Sequence, residues 1–273
     1  MDLKTLVIKR KEELYGNKFY EAQWQGSLTS TEIILPLVLD VIRGIHSAVD
    51  FGCGTGVWLS VLKELGVNEI KGYDGAWVDK ELLKIPKENF TAMELDKQID
   101  IKKKYDIAIS VEVAEHLPAE SARTFVETLT KSSDIVLFSA AIPSQGGLNH
   151  INEQWPSYWY NIFMEYGYIG VDFLRKNIWT KKDVEVWYRQ NIILYVKKER
   201  LETMNIPQEY YKNNKQIDIV HPELFITKTK WLEQNNAYNM PLWNLYKTVL
   251  KRTIKKLVGI RIYKLLRKIA YDT

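Results

Sequence analysis

Among its 273 residues the chain has one cysteine and four histidines. A single thiol, Cys53, excludes an intrachain disulfide and a cysteine-based metal centre. The first residues, Met1-Asp2-Leu3-Lys4, run on to Lys9-Arg10-Lys11-Glu12-Glu13 and read as lacking the apolar core of a secretory signal. Nor does the sequence show an apolar run of bilayer length, so the cytoplasm is the expected location. Internal repeats and low-complexity tracts are missing too. The scarcity of histidine narrows any general-base chemistry near neutral pH to His46, His116, His150 and His221.

What is present suits a globular protein. Hydrophobic residues make up 46% and charged residues 26%, enough apolar surface for one large domain with an appendage. The net charge of +4 conceals an asymmetry. From Asn244 onward nine Lys and Arg face Asp272 alone, which leaves the rest of the chain mildly acidic. In that tail Leu245, Tyr246, Val249, Leu250, Ile254, Leu257 and Val258 recur at helical spacing, and Ile262, Leu265, Leu266 and Ile269 resume the pattern after Gly259. Basic amphipathic helices there would dock on their own domain, pair with a second subunit, or lie on the inner face of an anionic membrane. Nucleic acid is the less favoured partner, because no recognition motif accompanies the stripe.

The most informative stretch is Ala48-Val49-Asp50-Phe51-Gly52-Cys53-Gly54-Thr55-Gly56, an apolar strand running through alternating glycines into a helical pattern at 57–65. Glycine lets a backbone approach a ligand closely and reaches positive φ at little cost. The following helix presents free N–H groups and its positive dipole end, which favours an anionic group. Asp74, 18 residues beyond Gly56 and at the end of a second strand, is placed to accept hydrogen bonds from ribose hydroxyls. The pair implies a nucleoside-containing cofactor. The loop reads G-x-G-x-G, however, where a dinucleotide fingerprint wants G-x-G-x-x-G.

Strands are expected at 47–52, 69–74, 89–95, 105–111 and 134–140, separated by helical patterns of which 120–131 is the clearest. This alternation implies a parallel sheet covered on both faces. Residues 170–174 and 191–197 alternate like a closing antiparallel pair. Upstream, an amphipathic helix and an aromatic turn (Tyr15, Phe19, Tyr20, Trp24) are expected over 1–24. A helix over 31–42 follows, capped by Ser27 or Ser30 and able to kink at Pro36.

The loop with Asp50 in front resembles motif I of class I S-adenosylmethionine-dependent methyltransferases. Three later segments agree over residues 15–198: Tyr73-Asp74-Gly75, Glu94-Leu95-Asp96, and the fourth strand, which ends at Glu112 and leads to Glu115-His116-Leu117-Pro118. The resemblance implies an α/β fold with a Rossmann-like seven-stranded sheet, mostly parallel with the last strand antiparallel, and a C-terminal helical extension. It divides the chain into an N-terminal cap (1–45), a methyltransferase core (46–199) and an extension (200–273). It implies S-adenosylmethionine as donor and S-adenosylhomocysteine as product. Asp50, Gly52, Cys53, Gly54 and Gly56 would hold the methionine end, Asp74 and Gly75 the ribose, and Leu95 and Asp96 the adenine, with Glu112 closing the site.

Methyl transfer to a hydroxyl needs alignment and a proton acceptor. His46 precedes the first strand at the opposite end and reads as structural; His221, before Pro222, reads as a turn residue. His116 and His150 follow the carboxyl ends of strands, where open α/β sheets bind ligands. The segment Gly146-Gly147-Leu148-Asn149-His150-Ile151-Asn152-Glu153-Gln154-Trp155-Pro156 resembles that of bacterial methyltransferases found near surface-polysaccharide genes. His150 is the expected general base, with His116 and Glu115 beside it; a histidine that merely orders the loop is the plainer alternative. No metal is expected, although Glu112, Glu115, His116 and His150 form a candidate set of the kind small-RNA 2′-O-methyltransferases use for Mg²⁺. Trp155, Tyr158, Trp159, Trp179, Trp187 and Tyr188 serve either the core or the wall of an acceptor pocket. The expected activity is O-methylation of a sugar, a nucleotide-linked sugar or a phosphate-type oxygen of a surface-glycan precursor. Mg²⁺-assisted RNA 2′-O-methylation and a non-catalytic partner subunit are the alternatives.

Overall fold

The computed structural model describes residues 17–201, 204, 206–212, 216–235, 246, 249, 250 and 253. It contains a seven-stranded sheet of order β3-β2-β1-β4-β5-β7-β6. The strands are β1 (Ser47–Phe51), β2 (Glu69–Asp74), β3 (Phe90–Ala92), β4 (Ile107–Val111), β5 (Ile135–Ser139), β6 (Tyr168–Val171) and β7 (Ile193–Lys197). The first five pair in parallel, and β7 runs antiparallel to both β5 and β6. β1 and β5 are buried along their whole length, as a parallel sheet covered on both faces requires.

Successive strand side chains point to opposite faces and build two cores. Ala48, Ile107, Ile109, Ile135, Leu137 and Leu194 join one cluster; Val49, Phe51, Ala108, Val136, Phe138 and Tyr195 join the other. The first cluster is covered by α1 (Asn17–Ile42), α2 (Val57–Glu64), α5 (Phe173–Ile178) and α6 (Val186–Asn191). The second is covered by α3 (Ala122–Ser132) and α4 (Pro156–Glu165), where Phe163 stacks on Tyr195 at 3.9 Å between ring centroids. A short helix α7 (Lys198–Leu201) follows the sheet, and α8 (Pro222–Asn235) comes later.

Several expectations are corrected. No turn separates 17–24 from 31–42: α1 runs unbroken from Asn17 to Ile42 with Pro36 inside it. Ser30 and Thr31 are therefore interior residues, their hydroxyls donating to the carbonyls of Gly26 and Ser27 one turn back, both at 2.7 Å. Within α1 the stretch Trp24–Ile42 is apolar enough, by length and composition, to cross a membrane, contrary to the expectation that no such run exists. Its Ile34, Leu35, Val38 and Ile42 are buried in the first core. The third strand ends at Ala92, so Glu94-Leu95-Asp96 follows it instead of closing it. The sixth strand lies earlier than expected because Phe173, Leu174 and Ile178 bury a helical face, not a strand face.

The chain divides into two compact units, Met1–His221 and Pro222–Thr273. Leu201, Ile206 and Ile217 are buried. Arg175, itself 1% exposed, explains how this segment is held. Its guanidinium forks onto the Asp172 carboxylate at 2.6 and 2.7 Å and donates to the carbonyls of Gln190 and Ile217. His221 is more than a turn residue: its amide donates to Gln190 Oε1, and its Nε2 lies 2.8 Å from the Trp179 carbonyl oxygen. In the second unit, α8 exposes Phe225, Ile226, Trp231 and Leu232. The expected N-terminal helix up to residue 16 lies outside the described residues, as does the basic tail except for Tyr246, Val249, Leu250 and Thr253.

Removing one partner of a buried, hydrogen-bonded ion pair strands the other. Arg175→Met should therefore cost about 3–5 kcal/mol in urea denaturation of the full chain. A loss below about 1 kcal/mol, the range of an exposed pair, would show that Arg175 does not hold the segment.

Candidate active site

β1 ends at Phe51 and the chain turns on glycines. Gly52, Gly54 and Gly56 have φ of 90, 54 and 85°, values a side chain resists. At Gly52 there is also no room: a Cβ would lie 2.3 Å from Val113 Cγ2. The turn is fastened to β2 from two sides. The amides of Gly52 and Cys53 donate to the Tyr73 carbonyl, and the Gly54 amide donates to Asp74 Oδ2 at 2.7 Å. Asp74 Oδ1 takes the Gly75 amide at 2.6 Å. Asp74 thus fixes the glycine turn as well as facing the space beside it.

That space is a cavity of about 360 Å³, within the usual range of small-molecule sites. It is lined by Gly52, Cys53, Gly54, Asp74, Leu95, Glu112, Glu115, His116 and His150 among the residues expected from sequence. Asp50, Gly56, Gly75 and Asp96 do not line it. Asp50 is 2% exposed, its carboxyl pushed well above the ordinary range by burial and then by Asp74. Asp96 is exposed, because β3 stops short of it. Gly75 acts indirectly, giving space to the Trp77 ring, which does line the cavity. Burial, followed by Asp74 and Asp50, also raises the Cys53 thiol well above its usual value, so it stays protonated.

The opposite wall begins at the end of β4. Glu112 adopts φ of 55°, a strained conformation for a residue with a side chain. It is held there by its amide, which reaches both the carbonyl and the hydroxyl of Ser139 on β5. Its carboxylate accepts from Asn191 Nδ2 and Gln145 Nε2, each at 3.1 Å. Burial raises its pKa; those two amides and the nearby His150 work the other way. Glu115 is fully buried, and neither carboxyl oxygen has a hydrogen-bond partner of normal geometry. Burial, then the neighbouring Glu112, raises it well above the ordinary range.

Ligand atoms of Glu115, His116 and His150 lie within 4.8 Å of one another. Glu112 is not part of this cluster, being engaged by Asn191 and Gln145, so the four-residue metal set comes together as three. The rings of His116 and His150 meet edge to face at 4.8 Å. His150 sits on a loop that turns through positive φ at Ser144, Gly146 and Asn149. Its Nδ1 is 2.9 Å from Glu153 Oε1.

The aromatic residues left open between core and acceptor wall divide between the two. Trp187 and Tyr188 line the cavity together with Trp24, Trp58 and Trp77. Trp159 is in the core against Phe138, Trp179 packs on His221, and Trp155 is exposed. Trp24 and Ser27 bring α1 to the cavity, and burial pushes the Tyr188 hydroxyl, 3.4 Å from Ser27 Oγ, up to about 12. Gln145, Asn191, Trp58 and Trp77 gave no sequence signal, since such residues fill cores and loops throughout proteins. His46 is exposed at the opposite end of β1, where its amide donates to Asp106.

A methyltransferase-domain family model matches residues 32–175. Among solved structures, the magnesium protoporphyrin IX methyltransferase of Synechocystis PCC 6803 with bound SAH aligns with a TM-score of 0.51 at 19% identity, over 71% of this chain and 94% of that one. The same enzyme with bound SAM gives 0.49 at 20%, over 72% and 98%. The methyltransferase domain of a bacterial Hen1, CtHen1-C, gives 0.45 at 19%, over 62% and 97%. At these identities the likeness is one of fold. No curated protein matches the sequence.

The raised Glu115 carboxyl has a consequence for stability. Above the ordinary glutamate range the unfolded chain releases a proton that the folded chain retains, so stability falls as pH rises. Glu115→Gln removes that dependence. In urea denaturation the variant's advantage over wild type should be slight near about pH 4 and grow towards about pH 8; a difference that does not change with pH would contradict a protonated Glu115.

Proposed function

The chain belongs to the methyltransferase-domain family, and from that premise we propose that it moves a methyl group from S-adenosylmethionine to a hydroxyl of a sugar in a surface-glycan precursor. One observation carries the reading: the glycine turn with Asp74 and the loop with His150 line the same cavity. The residues fit the donor. The turn at Gly52 and Gly54, ahead of α2, suits a carboxylate, and Asp74 keeps acceptor capacity for ribose hydroxyls. When bound, the donor supplies a methyl group activated on a sulfonium. On the wall opposite Asp74, the Glu112 carboxylate makes the cavity hospitable to that positive charge.

His150 takes the proton of the acceptor hydroxyl as the methyl group arrives, and the aromatic side chains of Trp187, Tyr188 and Trp24 provide flat apolar surface for a sugar ring. The charge of the wall supports a neutral acceptor. Among the described lining residues there is no Lys or Arg to meet a phosphate, which disfavours a phosphate-type oxygen or an RNA backbone at the reacting end. The glycine-rich segment ending in Trp155-Pro156 supports a glycan precursor through its resemblance to polysaccharide-associated enzymes. His150→Ala should lower transfer of labelled methyl into a glycan-precursor extract by about 10²–10⁴-fold while calorimetric binding of S-adenosylhomocysteine is unchanged. Full retained transfer would overturn the role of His150.

The second reading is metal-assisted transfer. It rests on the clustering of Glu115, His116 and His150 and on the Glu115 carboxyl, whose oxygens lack a hydrogen-bond partner of normal geometry. These three would hold a divalent cation, which would supply Lewis-acid activation of the acceptor oxygen. Under the leading reading, dialysis against EDTA leaves the rate within about twofold. Loss of activity restored by Mg²⁺ or Mn²⁺ would select the second.

A further inference from the structure

We infer that Glu153 is the positioning residue of this site, fixing the His150 imidazole so that Nε2 is the nitrogen that receives the acceptor proton; this rests on the reading of His150 as base. A neutral histidine carries its proton on either ring nitrogen, and only the bare one can act as base. A carboxylate can only accept. With Glu153 Oε1 2.9 Å from Nδ1, the proton belongs on Nδ1 and the lone pair on Nε2.

The carboxylate is itself immobilised. Its Oε1 also accepts from the Gly146 amide at 2.6 Å, and its Oε2 accepts from the Ser144 amide at 2.8 Å. Both amides belong to the turn of positive φ at Ser144 and Gly146. One side chain therefore closes the loop and orients the histidine that the loop carries. The side chains of His150 and Glu153 are 12% and 18% exposed, so water competes weakly for this contact. Gly147 contributes by lacking a side chain: a Cβ there would lie 2.2 Å from His150 Nε2. The groups facing the imidazole from other elements are His116, edge to face, with Glu115 and Glu112 beyond it.

In the transfer, the acceptor O–H proton passes to Nε2 as the oxygen forms its bond to the methyl carbon. The carbon–sulfur bond breaks, and sulfur keeps the electron pair as a neutral thioether. The imidazolium left behind is paired with the Glu153 carboxylate until it releases its proton to water. Glu153 touches neither donor nor acceptor in this scheme and acts only through His150.

The test uses the full chain labelled with ¹⁵N-histidine and long-range ¹H–¹⁵N spectra at a pH where His150 is neutral. His150 is assigned by the signal lost in His150→Gln. Wild type should show the Nδ1–H form. Glu153→Ala, checked for an unchanged thermal midpoint, should release the ring to a mixture richer in Nε2–H. It should lower kcat by about 10–100-fold, with binding of S-adenosylhomocysteine within about twofold. Glu153→Gln keeps a side-chain oxygen acceptor and should restore the Nδ1–H form and part of the rate. A wild-type spectrum with His150 protonated on Nε2 overturns the inference without any variant, and so does a folded Glu153→Ala whose His150 nitrogens do not move. Retained transfer in His150→Ala is a separate outcome that removes the base itself.

Discussion

The pairing of β1 with β4, through Ala48↔Ile107, Val49↔Ala108 and Asp50↔Ile109, lays side by side two parallel strands whose connections leave in opposite directions along the sheet. β1 leads through α2 to β2 on one side, and β4 leads through α3 to β5 on the other. The chains diverge where these strands end, and a crevice opens between them at the carboxyl edge of the sheet. The glycine turn is the end of β1, and the strained Glu112 is the end of β4. The carboxyls and histidines that line the site are anchored to one of these two termini, directly or through the neighbouring strand.

Burial of carboxyl groups is the electrostatic counterpart of that geometry. Asp50 and Glu115 are at or near complete burial, and Glu112 is walled in by Asn191 and Gln145. Each is raised chiefly by desolvation. A protein does not place such groups in its interior for stability, since an unpaired buried charge is costly. Their concentration around one cavity matches the pattern in which perturbed groups cluster at functional sites. A positively charged ligand entering the cavity would relieve part of that cost.

Strain collects in the same region. Positive φ at Glu112, Ser144 and Asn149 falls on the loops that carry the carboxyls and His150. The Ser139 contacts of Glu112 and the amides bound by Glu153 hold these conformations in place.

The periodicity of the sequence by itself determined the alternation of strands and helices and the parallel centre of the sheet. Apolar runs such as Ile135–Ser139 have no other stable home than a doubly covered strand. Gly52, Gly54 and Asp74 were legible because their chemistry is local: positive φ, close approach, and one carboxylate at a strand end. Tertiary structure alone decided what depends on distant contacts. Ser30 read as a helix cap yet sits inside α1, its hydroxyl accepting from the Glu185 amide 155 positions away. Phe173 and Leu174 read as strand until the second core claimed neighbouring Tyr168 and the first core claimed them as helix. Asp50 and Asp96 carried the same acidic signal as Asp74, but only the fold buries one and exposes another. Which tryptophans reach the cavity and which reach the core was likewise settled by packing, because an indole's affinity for apolar surroundings does not say on which side of a sheet those surroundings lie.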